Sequence, residues 1–594
     1  MPKGSAAMTG FMSYPTPKAH NIPHQTHAAP QNPVVRGTLL HYLSSVVLSV
    51  PLLPWVLWNN AGFNSLRKTR ELDNMESRFD PTVILLPRDG EVPINYNAVD
   101  IDQLRALRAG AQGRFYSIVD FHRAYSSGQT TPSDVVEALL PLIRRDIESR
   151  SPHSTAFVDT KVDLVRRSAE ASTKRWKDGK QLGVLDGIPF ALKDEMDAKG
   201  YKRFCGTTKD MTKGKEVETS WCARKLEEAG AVLIGKVNMH ELGMDTTNNN
   251  PNWGTPLNPY NSKYYTGGSS GGSAYVVGSG IVPFAVGSDG GGSVRIPSNY
   301  CGVYGLKPSH GRVSIAPTIS PANSTVVQGP LAANMVDLQI AYQVLAQPDP
   351  SHISSRQFAP PASGQVPRTK LIGIPREWFD RADPVVQEAC LSAIQYFQSE
   401  LGYEVIDVSI PLTHEGQLAH AMTILAECAA AEPDLSYLTA PNKILLKVAQ
   451  QTSATDLLLA QKLRHLLMQH LADLYKRYPG IIIVTPTTPN PGWPIGDGDL
   501  QYGVSNGNMQ VRNMEYVWLA NFTGVPCIQF PVGYAEPVQG EGRIPMGLSG
   551  HGEWGSEDAL IEFGFDGEAW LNKGYQGGRQ MPKKWVDVLA KAAV

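Results

Sequence analysis

From about Tyr116 onward the apolar positions alternate between two periods: a three-to-four-residue spacing that marks one face of a helix, and short unbroken runs that mark buried strands. Trp221, Cys222, Leu226 and Ala229 recur at helical spacing. Gly230 stands where a helix C-cap belongs, and Ala231-Val232-Leu233-Ile234 reads as the strand that follows. Later, Leu459, Leu463, Leu466, Leu467, Leu471 and Leu474 form one apolar face, Pro479-Gly480 stops it, and Ile481-Ile482-Ile483-Val484 resumes as strand. Helix followed by strand, repeated, predicts a layered α/β fold. The segment from Pro348 to Pro367, with Pro350, Pro360 and Pro361, reads as an exposed loop within it, after which Leu371-Ile372-Gly373-Ile374 is again strand.

The pattern differs before this region. Residues 1–36 carry Pro2, Pro15, Pro17, Pro23, Pro30 and Pro33 among Gly, Ser and Ala, which predicts a disordered tail. Its His20, His24 and His27 have no Cys or acidic companions and read as bland. Leu39 to Trp58 runs 20 residues without a formal charge, long enough for a membrane span, but Ser44, Ser45, Ser49, Pro51 and Pro54 interrupt it. The prolines predict a short helix and a turn, which sets a peripheral membrane patch, an oligomer interface such as a homodimer's, or a helix packed on the protein's own surface ahead of a true span. The expected organisation is therefore a tail over 1–36, an N-terminal extension with an apolar segment over 37–114, and one large domain over 115–594.

Composition removes several classes of function. With 42% hydrophobic and 19% charged residues the chain is too apolar for disorder and too interrupted for a multi-span membrane protein. A net charge of −2 supplies no field for nucleic acid, so no such partner is expected. Cys205, Cys222, Cys301, Cys390, Cys428 and Cys527 lie far apart without a CxxC pair. That argues against structural zinc and a disulfide framework and for a reducing, cytoplasmic setting.

The most informative stretch runs from Thr266 to Ser298. Two Gly/Ser clusters, Gly267 to Ser273 and Gly287 to Ser293, bracket Tyr275-Val276-Val277 and Ile281-Val282-Pro283-Phe284, so this is packed backbone rather than a linker. Glycines in such runs leave successive amide N–H groups free to face one anion. A P-loop fails, because Ser273 stands where its lysine is required. A GxSxG elbow fits Gly267 to Gly271 with Ser269 as nucleophile, but His310, His414, His420 and His551 lack a recognisable setting. A third reading adds Lys193, which closes the apolar run Gly187-Ile188-Pro189-Phe190-Ala191-Leu192; desolvation there lowers a lysine pKa and makes the amine a base. A surface lysine after a strand is the plainer alternative.

GIPFALKDE, YTGGSSGGSA and GSDGGGSVRIPSNYCGVYGLKPS, in that order, resemble the amidase signature family of serine hydrolases. Gly235 to Glu241, Val484 to Thr487 and Asn521 to Pro526 resemble it too, so the likeness runs from about 115 to about 550. The resemblance implies one large mixed β-sheet covered by helices on both faces, preceded by a helical N-terminal extension. It also implies an amide hydrolase in which Lys193 deprotonates Ser269, Ser269 deprotonates Ser293, and Ser293 becomes the acyl-enzyme. Gly290, Gly291 and Gly292 would hold the oxyanion, Asp289 and Arg295 would brace the loop, and neither metal nor organic cofactor is required. Within the family the likeness is greatest to its plant branch acting on fatty acid amides. A hydrophobic amide such as an N-acylethanolamine is thus the expected small-molecule partner, and an internal membrane surface the expected place of peripheral contact.

Two alternatives remain at this stage, an inert amidase-like scaffold or receptor and a component of an amidotransferase. Ser270 reads equally as a turn serine or as a partner of the site. His240-Glu241 reads as structural, and Asn248-Asn249-Asn250 with Trp253 as either an acyl-channel wall or a polar loop. The region from Gly552, with Trp554, Phe563, Phe565 and Trp570, matches no pattern.

Overall fold

A computed structural model of the chain describes residues 10–23, 31–86, 115–361 and 369–593. The alternating apolar runs become one mixed sheet of 11 strands. From one edge the order is β11 (Glu404–Asp407), β10 (Leu371–Ile374), β12 (Ile482–Pro486), β15 (Ile544–His551), β14 (Cys527–Ala535), β8 (Tyr304–Lys307), β9 (Val327–Ala332), β7 (Phe284–Asp289), β5 (Pro189–Lys193), β6 (Val232–Val237) and β4 (Phe157–Asp159). Two parallel sets, β11-β10-β12 and β7-β5-β6, are joined through antiparallel strands. Every residue of β5, β6, β7, β14 and β15 is buried, so both faces of the sheet are covered by helices.

The helix spanning Ala454–Arg477 shows how the pattern builds these layers. Ser453 caps it by accepting from the Asp456 N–H, and Leu463, Leu466, Leu467, Leu471 and Leu474 are all buried. The helix Trp221–Glu228 ends before Gly230, whose φ of +92° lets the chain turn into β6. The C-terminal aromatics without a sequence pattern are core residues: Trp554, Phe563 and Trp570 are buried, and the Trp554 indole N–H donates to the Thr523 carbonyl at 2.9 Å.

Two expectations need correction. The described part of the tail is anchored rather than disordered. Phe11–Met12 (β1) pairs with Ile84–Leu85 (β3), and Val35–Arg36 (β2) pairs with Val504–Ser505 (β13). The Tyr14 hydroxyl donates to Glu553 at 2.6 Å, and the His20 ring meets Gln469 at 3.1 Å. Prolines forbid a long ladder but not an extended strap fixed by side chains; His24 and His27 lie outside the described residues. In the apolar segment the second proline starts a helix instead of a turn. α1 (Gly37–Ser49) and α2 (Leu53–Asn60) meet at 109°, with Pro54 in the first turn of α2, where its missing N–H costs nothing. No single described helix is long and apolar enough to cross a membrane. Part of the Pro-rich stretch 348–361 is also tied in, since Asp349 and Ser355 are buried and the Ser355 hydroxyl donates to the Arg312 carbonyl at 3.1 Å.

Candidate active site

The parallel pairing of β5 with β7, with Leu192 opposite Val286, sets the C-terminal ends of both strands side by side. Lys193 ends β5 and Ser288-Asp289 end β7. The Lys193 side chain is fully buried; its Nζ lies 2.9 Å from Ser269 Oγ and 2.8 Å from Ser288 Oγ. Burial pushes the lysine pKa down, against Glu195 and Asp289, which pull it up.

Ser269 sits just before the helix Gly271–Gly278, its carbonyl accepting from the His240 N–H at 3.1 Å. Gly268–Ser269 is a cis peptide. That helix packs closely on the strand beside it: a Cβ at Gly272 would stand 2.2 Å from the Asn238 carbonyl oxygen, so only glycine fits. Ser270 is a tie rather than a turn residue. Its N–H donates to the Ser293 carbonyl at 3.2 Å and its hydroxyl to the Ser288 carbonyl at 3.0 Å, joining the two Gly/Ser clusters.

The second cluster wraps around Asp289. Its carboxylate accepts from the N–H groups of Gly292 (2.7 Å), Val294 (3.1 Å) and Arg295 (3.3 Å), and from the Arg295 guanidinium at 2.9 and 3.0 Å. Burial raises the pKa of this carboxyl, but Arg295 outweighs it and holds the group well below the carboxylate range. Arg295 in turn donates to the Val517 carbonyl and Asn521 Oδ1. Gly292 needs its φ of +102°, and a Cβ there would strike Val517 at 2.5 Å. Of the three expected oxyanion glycines, Gly292 therefore has its N–H committed to Asp289. Among the described residues no acceptor takes the N–H of Gly290, Gly291 or Ser293. The His420 ring, neutral because burial lowers it to about 4, lies 2.7 Å from the Gly290 carbonyl and orients that peptide.

Ser269, Ser288, Ser293, Gly290 and Gly291 all line a cavity of about 870 Å³. Leu43, Val47, Leu53 and Leu57 from α1 and α2 wall it, together with Ile424 and Leu425 from the helix Thr413–Ala431 and Leu445 and Val448 from the helix Ala440–Ala449. Glu195, Asp245, Gln417, Arg381 and Glu515 add polar groups. The remaining sequence candidates are structural. Glu241 accepts from Thr439 and Asn442, Asn248 from the Gly271 N–H, and Asn249 and Asn250 donate to backbone carbonyls, so the asparagine tract does not wall the cavity. Among the described residues no histidine hydrogen-bonds to the Ser269 hydroxyl, which meets Lys193 instead, and His551 lies buried in β15, away from the cavity. Sequence reading missed Ser288, Glu195 and Asp245. The first two were in reach, one residue before Asp289 and two after Lys193; His420, from a distant helix, gave no signal.

Comparison with known proteins shows which family the chain belongs to. The amidase family profile matches residues 137–561. A fatty acid amide hydrolase from Medicago truncatula is 33% identical over 497 residues, covering 81% of this chain and 80% of that protein. Its counterpart from Arabidopsis thaliana is 33% identical over 472 residues, 75% of each chain. A glutamyl-tRNA(Gln) amidotransferase component from Chloroflexus aurantiacus is 29% identical over 74% of this chain and 93% of its own. A crystal structure of an amidase superposes with a TM-score of 0.65 at 26% identity, covering 76% of this chain and 99% of its own. The chain belongs to the amidase signature family, and it is an amide-hydrolysing enzyme.

Two outcomes follow from the buried charges. Arg295→Met strands the Asp289 carboxylate in the interior and should lower stability by ~3–5 kcal/mol in chemical denaturation, with partial recovery when Asp289→Asn is added. Asp245, pushed by burial from an ordinary 3.8 up to about 6, resists ionisation in the fold. Its presence therefore costs stability as pH rises from about 4 to 6, and the cost persists above. Asp245→Asn should raise the thermal midpoint at pH 8 and change it less at pH 4.

Proposed function

We propose that the protein hydrolyses amides of long hydrophobic acyl groups, fatty acid amides or N-acylethanolamines, to free acid and amine through a Lys193–Ser269–Ser293 relay. The observation that carries this reading is the fully buried amine of Lys193, 2.9 Å from Ser269 Oγ, at a largely apolar-walled cavity that Ser293 shares. An amide is a poor electrophile with a poor leaving group, so the catalyst must both sharpen a nucleophile and protonate a departing nitrogen. Neutral Lys193 donates an N–H to Ser288 Oγ, which leaves its lone pair for the Ser269 proton. Ser269 takes the Ser293 proton as Ser293 Oγ bonds to the substrate carbonyl carbon. The proton returns through Ser269 to the leaving amine, and water activated by the same relay releases the acid.

The oxyanion falls to the open N–H groups around Gly290 and Gly291, each such donor being worth ~2.7–4 kcal/mol. Gly292 contributes by tethering the loop to Asp289. Neither metal nor cofactor enters this scheme. The apolar wall supports a fatty acyl group over the glutamine that an amidotransferase would take, and an inert scaffold has no use for a serine relay at a cavity.

α1 and α2 extend the reading to a membrane surface. Their inner residues wall the cavity, while Tyr42, Leu52, Trp55 and Val56 face outward, with Leu52 74% and Trp55 53% exposed. An apolar outer face of this kind suits peripheral docking on lipid, where an acyl amide is dissolved.

Lys193→Ala should reduce amide turnover far more than turnover of the matching ester, whose leaving group needs no proton; equal losses would overturn the relay. Leu52→Asp with Trp55→Asp should abolish co-sedimentation with phosphatidylcholine vesicles while soluble short-chain amides are still hydrolysed. Concentration-dependent dimers lost in the same variant, without vesicle binding in either, would assign the face to a dimer interface instead.

A further inference from the structure

The relay reading leaves one charged group beside Lys193 without a role. Glu195, two residues after it, places Oε1 3.4 Å from Nζ, and Oε1 makes no hydrogen bond among the described residues. Its side chain is 17% exposed and lines the cavity.

The other titratable groups that face Lys193 are neutral or already compensated. Asp289, at the end of β7, is paired with Arg295 at 2.9 Å. Cys205, on the loop after β5, is kept protonated because burial raises its thiol to about 12. His240, past the end of β6, is kept neutral because burial lowers it to about 3, with a further push from Lys193. Asp194, next in the chain to Lys193, lies 3.5 Å from the ammonium of Lys236. Glu195 is thus the carboxylate whose cation partner, among the described residues, is Lys193.

We infer that Glu195 is a positioning residue of the relay, stabilising the ammonium that Lys193 becomes when it takes the nucleophile's proton. The inference rests on the Lys193–Ser269–Ser293 reading. The surroundings of the amine favour it. Nζ has Ser269 Oγ and Ser288 Oγ at hydrogen-bond distance and Glu195 Oε1 beyond them at an ion-pair distance of 3.4 Å. Once the lone pair accepts a proton, the ammonium meets two hydroxyl oxygens and one facing carboxylate. In the acylation step the Ser293 proton passes to Ser269 Oγ and the Ser269 proton to Nζ, while the Ser293 oxygen bonds to the carbonyl carbon. Glu195 exchanges no proton in this step. Its charge opposes the cation that forms, so the benefit is larger after proton transfer than before, which is the condition for accelerating a step. Burial of Nζ works in the other direction, keeping the resting amine neutral, and the balance of the two sets the pH at which the relay becomes competent.

The test is the pH dependence of two rates in Glu195→Gln and Glu195→Asp: amide kcat/KM, and covalent labelling of Ser293 by a fluorophosphonate, which requires no turnover. Glu195→Gln should lower amide kcat/KM at its optimum by about 10- to 100-fold, the effect of removing an opposite charge from within about 4 Å of the cation that forms. It should also move the acidic limb of both profiles to lower pH by about 1–3 units, because the amine loses the anion that favours its protonated form. Glu195→Asp, which withdraws the carboxylate by one methylene, should move the limb the same way by less, and it serves alone if the glutamine variant does not fold. An acidic limb that stays in place in the folded variant, whether or not the rate falls, overturns the proposal, because a merely structural glutamate would not set that limb. Lys193→Ala is labelled in parallel. If it keeps the wild-type limb, the relay reading itself fails and the Glu195 proposal with it. If it loses the limb while Glu195→Gln leaves it unmoved, the Glu195 proposal alone fails.

Discussion

The site depends on one constraint of backbone geometry, the parallel ladder between β5 and β7. Parallel strands release their C-terminal ends on the same edge, and in this sheet those ends carry the amine of Lys193 and the loop of Ser288 to Ser293. The amine travels into the interior because the five residues of the strand that delivers it are all buried. An amine with a lowered pKa is then a product of where the strand stops. The antiparallel neighbours extend the sheet on either side and supply burial, but no chemistry issues from their ends.

The second cluster solves a different problem, how to leave backbone N–H groups open without letting the loop collapse. Asp289 does so by drawing three N–H groups and a guanidinium onto one carboxylate, which fixes the peptides around Gly290 and Gly291 from behind. A buried ion pair is a weak source of net stability, and its value in this loop is definition of geometry. His420 and Ser270 add further hydrogen bonds to the same loop.

The α/β layering was legible because it rests on local signals, helical spacing ended by Gly230 or Pro479-Gly480, and the apolar residues between the two Gly/Ser clusters excluded a linker; the choice of Lys193, Ser269 and Ser293 came from the family resemblance of their motifs, since spacing alone left Lys193 readable as a surface residue. The N-terminal region was less legible. Proline content argues against regular ladders, yet Tyr14 and His20 secure the extended strap through contacts to residues hundreds of positions away. Pro54 read as a helix breaker although the first helical turn tolerates it. Gly292 read as an oxyanion donor because spacing alone does not reveal that Asp289 occupies its N–H. Asn248 to Asn250 similarly satisfy buried backbone groups instead of facing the cavity, which no single-chain pattern distinguishes.

The cavity's wall and its chemistry come from separate parts of the chain. Lys193 and the Ser288 loop leave the ends of β5 and β7, whereas α1 and α2 arrive from outside the sheet and supply Leu43, Val47, Leu53 and Leu57. On the proposed reading, length preference for a hydrocarbon tail can therefore drift through changes in two peripheral helices while the groups around Lys193 stay untouched. Relatives with the same sheet-borne groups could then differ in the amides they accept by changing only these two helices.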